Sequence, residues 1–183
     1  MIDLRVDNSG WDALGLEALA QVAGDATLTR LGIEGPAEIA VLATSDEDVA
    51  ALNGEFRAKP TPTNVLSWPA QPLAPTSPGA APPDPVPDAF GELALGDIAL
   101  AYETCVREAA DGNKPLADHA THLLVHAILH LLGYDHISDA DARLMEGLEV
   151  EILTAVGVPN PYVDGPSHPA LESGVNWGRP HTE

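Results

Sequence analysis

Three histidines, His126, His130 and His136 in the run H-A-I-L-H-L-L-G-Y-D-H, are the residues of this chain best spaced for chemistry. Two histidines four apart on a helix share one face about a turn apart, so both rings can reach one ion. Gly133 permits the left-handed turn that ends a helix, and that turn can bring His136 round as a third ligand. Three protein ligands leave a fourth tetrahedral position open to water, the pattern of a catalytic zinc rather than a closed structural one. Nickel and copper also accept imidazole, so zinc is an inference from the pattern. His119 and His122 extend the stripe toward the N-terminus. His122 lies two turns from His130, about 12 Å along the axis, and cannot join the same ion. It is read as packing, or as support for a ligand from behind. Asp135, beside the third ligand, can orient a ligand ring; an ordinary turn carboxylate is the alternative.

The order H-x-x-x-H-x-x-G-x-x-H is also the frame of the metzincin peptidases, which carry a glutamate directly after the first histidine as general base. Here that position is Ala127. The metal cage is present and the peptidase base is not. A second constellation is Arg57 and Lys59, at a helix end that leads into a Pro/Thr turn. As charges at a helix C-terminus they are worth a few tenths to about 1 kcal/mol. As phosphate ligands they would use the planar fork of arginine. Spacing alone does not separate the two.

These groups need elements to position them. Residues 2–6 alternate like a strand, and 11–23 have the apolar spacing of a helix with one buried face. A short apolar strand runs from Ile39 to Ala43, and Ser45 can cap a helix over 46–56. Val65 to Trp68 reads as a strand stopped by Pro69. From Pro69 to Asp88 the chain carries eight prolines, which predicts a mobile surface loop (69–88) outside any regular sheet. Leu93 to Ala101 returns to strand character, and Leu95-Gly96-Asp97-Ile98 suggests one polar group, Asp97, at a ligand-facing point. Helices are expected over about 101–111, 116–132 and 139–156. The Pro- and Gly-rich tail, 163–183, reads as irregular, with His168 and His181 solvated. Strands and helices mix without strict alternation, which predicts an α+β domain: a small mixed sheet packed by helices, the metal-binding histidines on a central helix and its following turn.

At 183 residues the chain is long enough for one domain with a real core. No apolar run approaches the roughly 20 residues that span a bilayer, and residues 1–7 lack the regions of a signal peptide. The single cysteine, Cys105, excludes an internal disulfide and fits a reducing compartment, so the cytoplasm is expected. The net charge of −20 argues against a binder that relies on a broad basic surface. It leaves room for a small electropositive cleft built from an ion and a few cations.

Three separated blocks resemble the bacterial YbeY family, metal-dependent endoribonucleases of ribosomal RNA maturation. They are Leu52-Asn53 with Phe56-Arg57 running into Pro62-Thr63-Asn64-Val65-Leu66-Ser67, then Leu95-Gly96-Asp97-Ile98, then His122 through His136. Met145-Glu146 through Pro159-Asn160-Pro161-Tyr162 looks like the closing helix and end of that family, so the resemblance covers about residues 1–162. It implies an α+β fold, one zinc per chain held by residues matching His126, His130 and His136, and a role for Arg57 in RNA handling or catalysis. Where the family usually has glycine this chain has Ala127, and the usual aspartates are Pro60 and Asn64. Asn64 keeps an acceptor without the charge; with Lys59 and Asp97 it forms the set of candidate substrate contacts. The implied activity is cleavage of single-stranded RNA in 3′-end maturation of small-subunit ribosomal RNA and in ribosome quality control, with Arg57 stabilising the phosphate. Ribosomal or small-subunit proteins are the expected partners, and neither DNA nor a membrane is. No residue announces itself as general base, so the nucleophile is either activated water or the RNA 2′-hydroxyl. A non-catalytic, zinc-stabilised ribosome-assembly factor is the second reading, and a metzincin-like peptidase the third.

Overall fold

Alternation in the first residues builds β1 (Ile2–Val6), and a short 3-10 turn over Ser9–Leu14 leads from it into α1 (Leu16–Arg30). The computed structural model of the chain describes residues 2–57 and 63–162. The remaining elements in chain order are β2 (Ala37–Thr44), α2 (Asp46–Arg57), β3 (Val65–Pro69), β4 (Leu93–Ala101), α3 (Tyr102–Asp111), α4 (Leu116–Leu131) and α5 (Asp139–Ala155). The strands form one sheet in the order β1-β2-β4-β3, with β1, β2 and β4 parallel and β3 antiparallel at the edge. Parallel neighbours require crossover connections, which α1 and α2 supply. The mixed sheet packed by helices matches the α+β expectation.

The main core lies between the sheet and α4, where Val41, Ile98 and Leu100 join Leu123, Leu124 and Ile128. α1 and α5 pack against α4. On the opposite face α2 forms a thinner layer, with Val49 against Leu66, Ala99 and Ala101. Among the described residues no helix is long and apolar enough to cross a membrane.

Three local differences from expectation have physical causes. The helix expected over 11–23 is broken at Gly15, whose φ of +68° ends the short turn that buries Trp11, and it then runs on to Arg30. It passes through Gly24 because β1 crosses there: a Cβ on Gly24 would sit 3.3 Å from the Cδ1 of Ile2. Pro69 is the last residue of β3 rather than its stop, which an edge strand tolerates because the missing donor is on the ladder's rim. The proline-rich connection between β3 and β4 has no regular element, as expected, but it is tied to the body at several points. Leu73 is buried, and Gln71 pairs with Val86 through Nε2 to the carbonyl (3.0 Å) and Oε1 to the amide (2.9 Å).

β4 carries a bulge opposite Glu38 and Ile39, and Gly96 lies beside it with φ +138°. A Cβ there would stand 2.1 Å from the carbonyl oxygen of Trp68 and 2.9 Å from Leu131. Gly96→Ala is therefore expected to destabilise the fold by about 2–4 kcal/mol, read as a lowered urea midpoint. Cys105 is fully buried, and burial together with the nearby Glu108 and Asp46 pushes its thiol pKa up. The native protein should then react with a thiol reagent no faster than it unfolds, whereas rapid labelling of folded protein would contradict that packing.

Candidate metal centre

α4 has no glycine or proline inside it and is buried at every position from His119 to Leu131. Such a helix must be wrapped on all sides. Leu123, Leu124, Ile128 and Leu131 join the main core, while the histidine edge meets α5 and the chain just before Tyr162. His126 and His130 lie one turn apart and meet edge to face, with ring centroids separated by 4.8 Å. The helix then closes on Gly133, whose φ of +98° reverses the chain so that the Tyr134 amide donates back to the Leu129 carbonyl at 3.0 Å. That reversal returns His136 to the cluster, 5.6 Å from His126 and 5.5 Å from His130 between centroids. One ring nitrogen from each of the three lies within 4.8 Å of the others.

Glu149, wholly buried on α5, is the group that sequence reading did not find. Its Oε1 accepts a short hydrogen bond from the Nδ1 of His126, and its Oε2 accepts one from the hydroxyl of Tyr162. The Nε2 of His122 lies 3.6 Å from the same carboxylate and 3.4 Å from the Tyr162 hydroxyl. Burial alone would raise the Glu149 pKa, but His126 and the hydrogen bonds from His122 and His126 outweigh it and hold the carboxyl well below its usual range. The anion in turn combines with burial to push the Tyr162 hydroxyl up, so that it stays a donor. Burial also lowers the pKa of His122 and, with His126 beside it, that of His136. Neutral imidazole is the ligating form.

The donor set fits a borderline divalent ion: three imidazoles converge, and the carboxylate on Nδ1 of His126 turns its Nε2 toward the cluster. His122, supporting this carboxylate, stands behind the triad rather than in it. Asp135 uses its Oδ1 to accept from the backbone amide of His136 at 2.7 Å, so it holds the main chain of the ligand turn.

Asn64 and Asp97 are not gathered at the triad. Asn64 is buried at the start of β3; its Nδ2 donates to Glu108 (3.1 Å), and its Oδ1 accepts from the Val65 amide (2.7 Å). Glu108 also accepts from His119 at 2.9 Å, which places the first histidine of the stripe in that network. Asp97 is exposed and alternates with Ala99 and Ala101, on the sheet face covered by α2 rather than by α4. Arg57 is the last residue of α2, its side chain outside the described part, and Lys59 lies outside the described residues.

Comparison with known proteins finds relatives over most of the chain. A family model described as Endoribonuclease YbeY matches residues 3–157. A protein of that name from Dinoroseobacter shibae is 57% identical over 162 residues, covering 88% of this chain and 90% of the relative. Another from Jannaschia sp. is 56% identical over 163 residues, covering 88% and 99%. The chain also resembles a solution structure from Thermotoga maritima, at 21% identity and a TM-score of 0.52 over 91% of this chain and 99% of that one. At that identity the likeness speaks for the fold alone.

Removing the charge of Glu149 without changing its size isolates its effect on His126. Glu149→Gln should weaken zinc binding about 10–100-fold in chelator competition while the protein stays folded. An unchanged affinity would show that the carboxylate is only a core contact.

Proposed function

We propose, from the premise that this chain belongs to the YbeY family of endoribonucleases, that it is a metal-dependent endoribonuclease acting on single-stranded RNA, precursor ribosomal RNA above all. The observation that carries the reading is the convergence of His126, His130 and His136, with ring nitrogens within 4.8 Å. These three would hold one zinc per chain, and a zinc bound there supplies a Lewis acid and lowers the pKa of its water toward about 7.

The protein's own residues do the positioning. Glu149 fixes the ring of His126, Asp135 fixes the backbone of His136, and Tyr162 with His122 fixes Glu149. Arg57 takes the phosphate: its fork matches two non-bridging oxygens and offsets the charge that grows on them in the transition state. Lys59 adds a second cation beside it. Asn64 acts from inside, holding the start of β3 where the segment after Arg57 rejoins the sheet. Asp97 contacts RNA only where a strand crosses the α2 face. Ala127 stands where a metzincin has its base, which disfavours peptide hydrolysis. The product ends identify the nucleophile, since attack by the 2′-hydroxyl leaves a 2′,3′-cyclic phosphate and attack by water does not. Maturation of the small-subunit RNA 3′ end in the cytoplasm, with ribosomal proteins supplying specificity, is the setting this chemistry suits.

The test is chelator-sensitive cleavage of a single-stranded RNA matching the 3′ end of precursor small-subunit ribosomal RNA, with His126→Ala purified in parallel. Wild type should cleave, lose activity to chelator and regain it with zinc, while His126→Ala should neither cleave nor hold metal. Arg57→Ala should keep its zinc and fold but cleave about 10²–10³-fold more slowly. Equal cleavage by wild type and His126→Ala would sink the nuclease reading in favour of an assembly factor.

A further inference from the structure

β3 and β4 are antiparallel neighbours with Pro69 opposite Gly96, and the Ala70 amide still donates to the Leu95 carbonyl at 3.0 Å. Strands so placed can be joined by about 2–5 residues. The chain instead spends residues 70–92 on the connection, with no helix or strand among them. A long connection of this kind in a small domain calls for a use.

Its anchor points supply one, because they bracket the turn that carries His136. At the start of that turn Gly133 meets the backbone of Leu73 so closely that a Cβ would lie 2.1 Å from the Leu73 carbonyl oxygen. Leu73 itself is buried there. At the far end the Gly79 amide donates to the Oδ1 of Asp141 at 2.8 Å, and a Cβ on Gly79 would be 3.1 Å from the Cβ of Ala140. Asp141 is in the first turn of α5, where its own amide donates to the Ser138 Oγ cap at 3.1 Å. Gln71 closes the base of the segment on Val86 and reaches the Ala94 carbonyl at 3.4 Å. Prolines suit this role, since a chain with fixed φ loses less entropy when held.

We propose that residues 70–92 are a brace for the metal centre, in which Leu73 on Gly133 and Gly79 on Asp141 hold the turn that presents His136 to His126 and His130. Leu73 and Asp141 are then positioning residues for the third ligand. His126 and His130 are fixed by α4 itself, whereas His136 stands on an irregular turn and is only half-buried. It is the ligand whose placement depends most on outside support. The brace rests on the metal-centre reading above.

The experiment measures zinc affinity and the rate of zinc release to a chromophoric chelator, on wild type and three variants of the full chain. They are Asp141→Ala, Asp141→Asn, and a variant with residues 72–90 replaced by a short Gly/Ser link. At a temperature where circular dichroism shows all of them folded, Asp141→Ala and the short-loop variant should release zinc about tenfold faster or more. Asp141→Asn, which keeps the acceptor, should stay near wild type. A purely structural loop would lower the melting temperature without moving zinc release in the folded protein. Wild-type release rates in Asp141→Ala and in the folded short-loop variant would overturn the brace, as would equal effects of the Ala and Asn changes. Should the short-loop variant not fold, the Asp141 pair decides alone. Failure of wild type to bind zinc would overturn the metal centre and the brace together.

Discussion

A helix buried along its length can carry polar side chains only if each of them finds a partner inside the protein, because an unpaired buried polar group costs on the order of 1–3 kcal/mol. α4 is such a helix, and it carries His119, His122, His126 and His130 along one edge. Much of the surrounding architecture answers that demand. Glu108 on α3 takes His119, Glu149 on α5 takes His126 and faces His122, and Tyr162 takes the second oxygen of Glu149. His126 and His130 also face each other and His136, with one ring nitrogen from each of the three within 4.8 Å of the others. The site is thus less an addition to the fold than a consequence of how this histidine-bearing helix is buried.

Two close backbone approaches place the C-terminal end of this helix, and each uses a glycine at positive φ. Gly96 lets β4 bulge beneath Trp68 and Leu131, and Gly133 lets the reversal after α4 lie against Leu73. Both lie at the C-terminal end of α4, where the sheet edge, the proline-rich connection and the ligand turn converge. A side chain at either would push apart the layers that hold His130 and His136 in register. Tight packing of this sort transmits small displacements, which is why a segment with no group of its own at the metal can still govern ligand geometry.

The triad was legible in the sequence because its geometry is local: helical periodicity relates His126 to His130, and one glycine relates them to His136. Glu149 was not legible, since it reaches His126 across an interhelical contact and its own helix offers two other glutamates, Glu146 and Glu151. Asp97 shows a different limit. Strict alternation from Leu95 puts it on the core face, but Leu95 is the extra residue of the bulge. Ile98 and Leu100 therefore face the core, and Asp97 turns to the α2 side. A single inserted residue reverses every later side chain, and Gly96 was its one compositional signal, since an isolated glycine within a strand often marks a bulge. Asn64, a candidate substrate contact because it keeps an acceptor at a position where an aspartate is usual, has its amide hydrogen-bonded to the partly buried Glu108, a partner that sequence alone does not reveal. The strands and helices themselves were read to within a few residues, apart from the break at Gly15 and the continuation through Gly24, which depend on Trp11 and Ile2 packing from elsewhere.

Charge sets the remaining constraint on how such a site can work. With a net charge of −20 and eight lysines and arginines in all, the long-range field of this protein repels a polyanion. Beyond a Debye length of about 8 Å at physiological ionic strength that repulsion is largely screened, so salt assists the approach instead of opposing it. Affinity for RNA must then come from contacts shorter than the screening length. A divalent ion at the three histidines would raise the local potential on an otherwise acidic chain. This arrangement trades general affinity for selectivity. Bulk RNA meets the acidic surface first, and only a strand already close to the triad comes within reach of a positive charge held there.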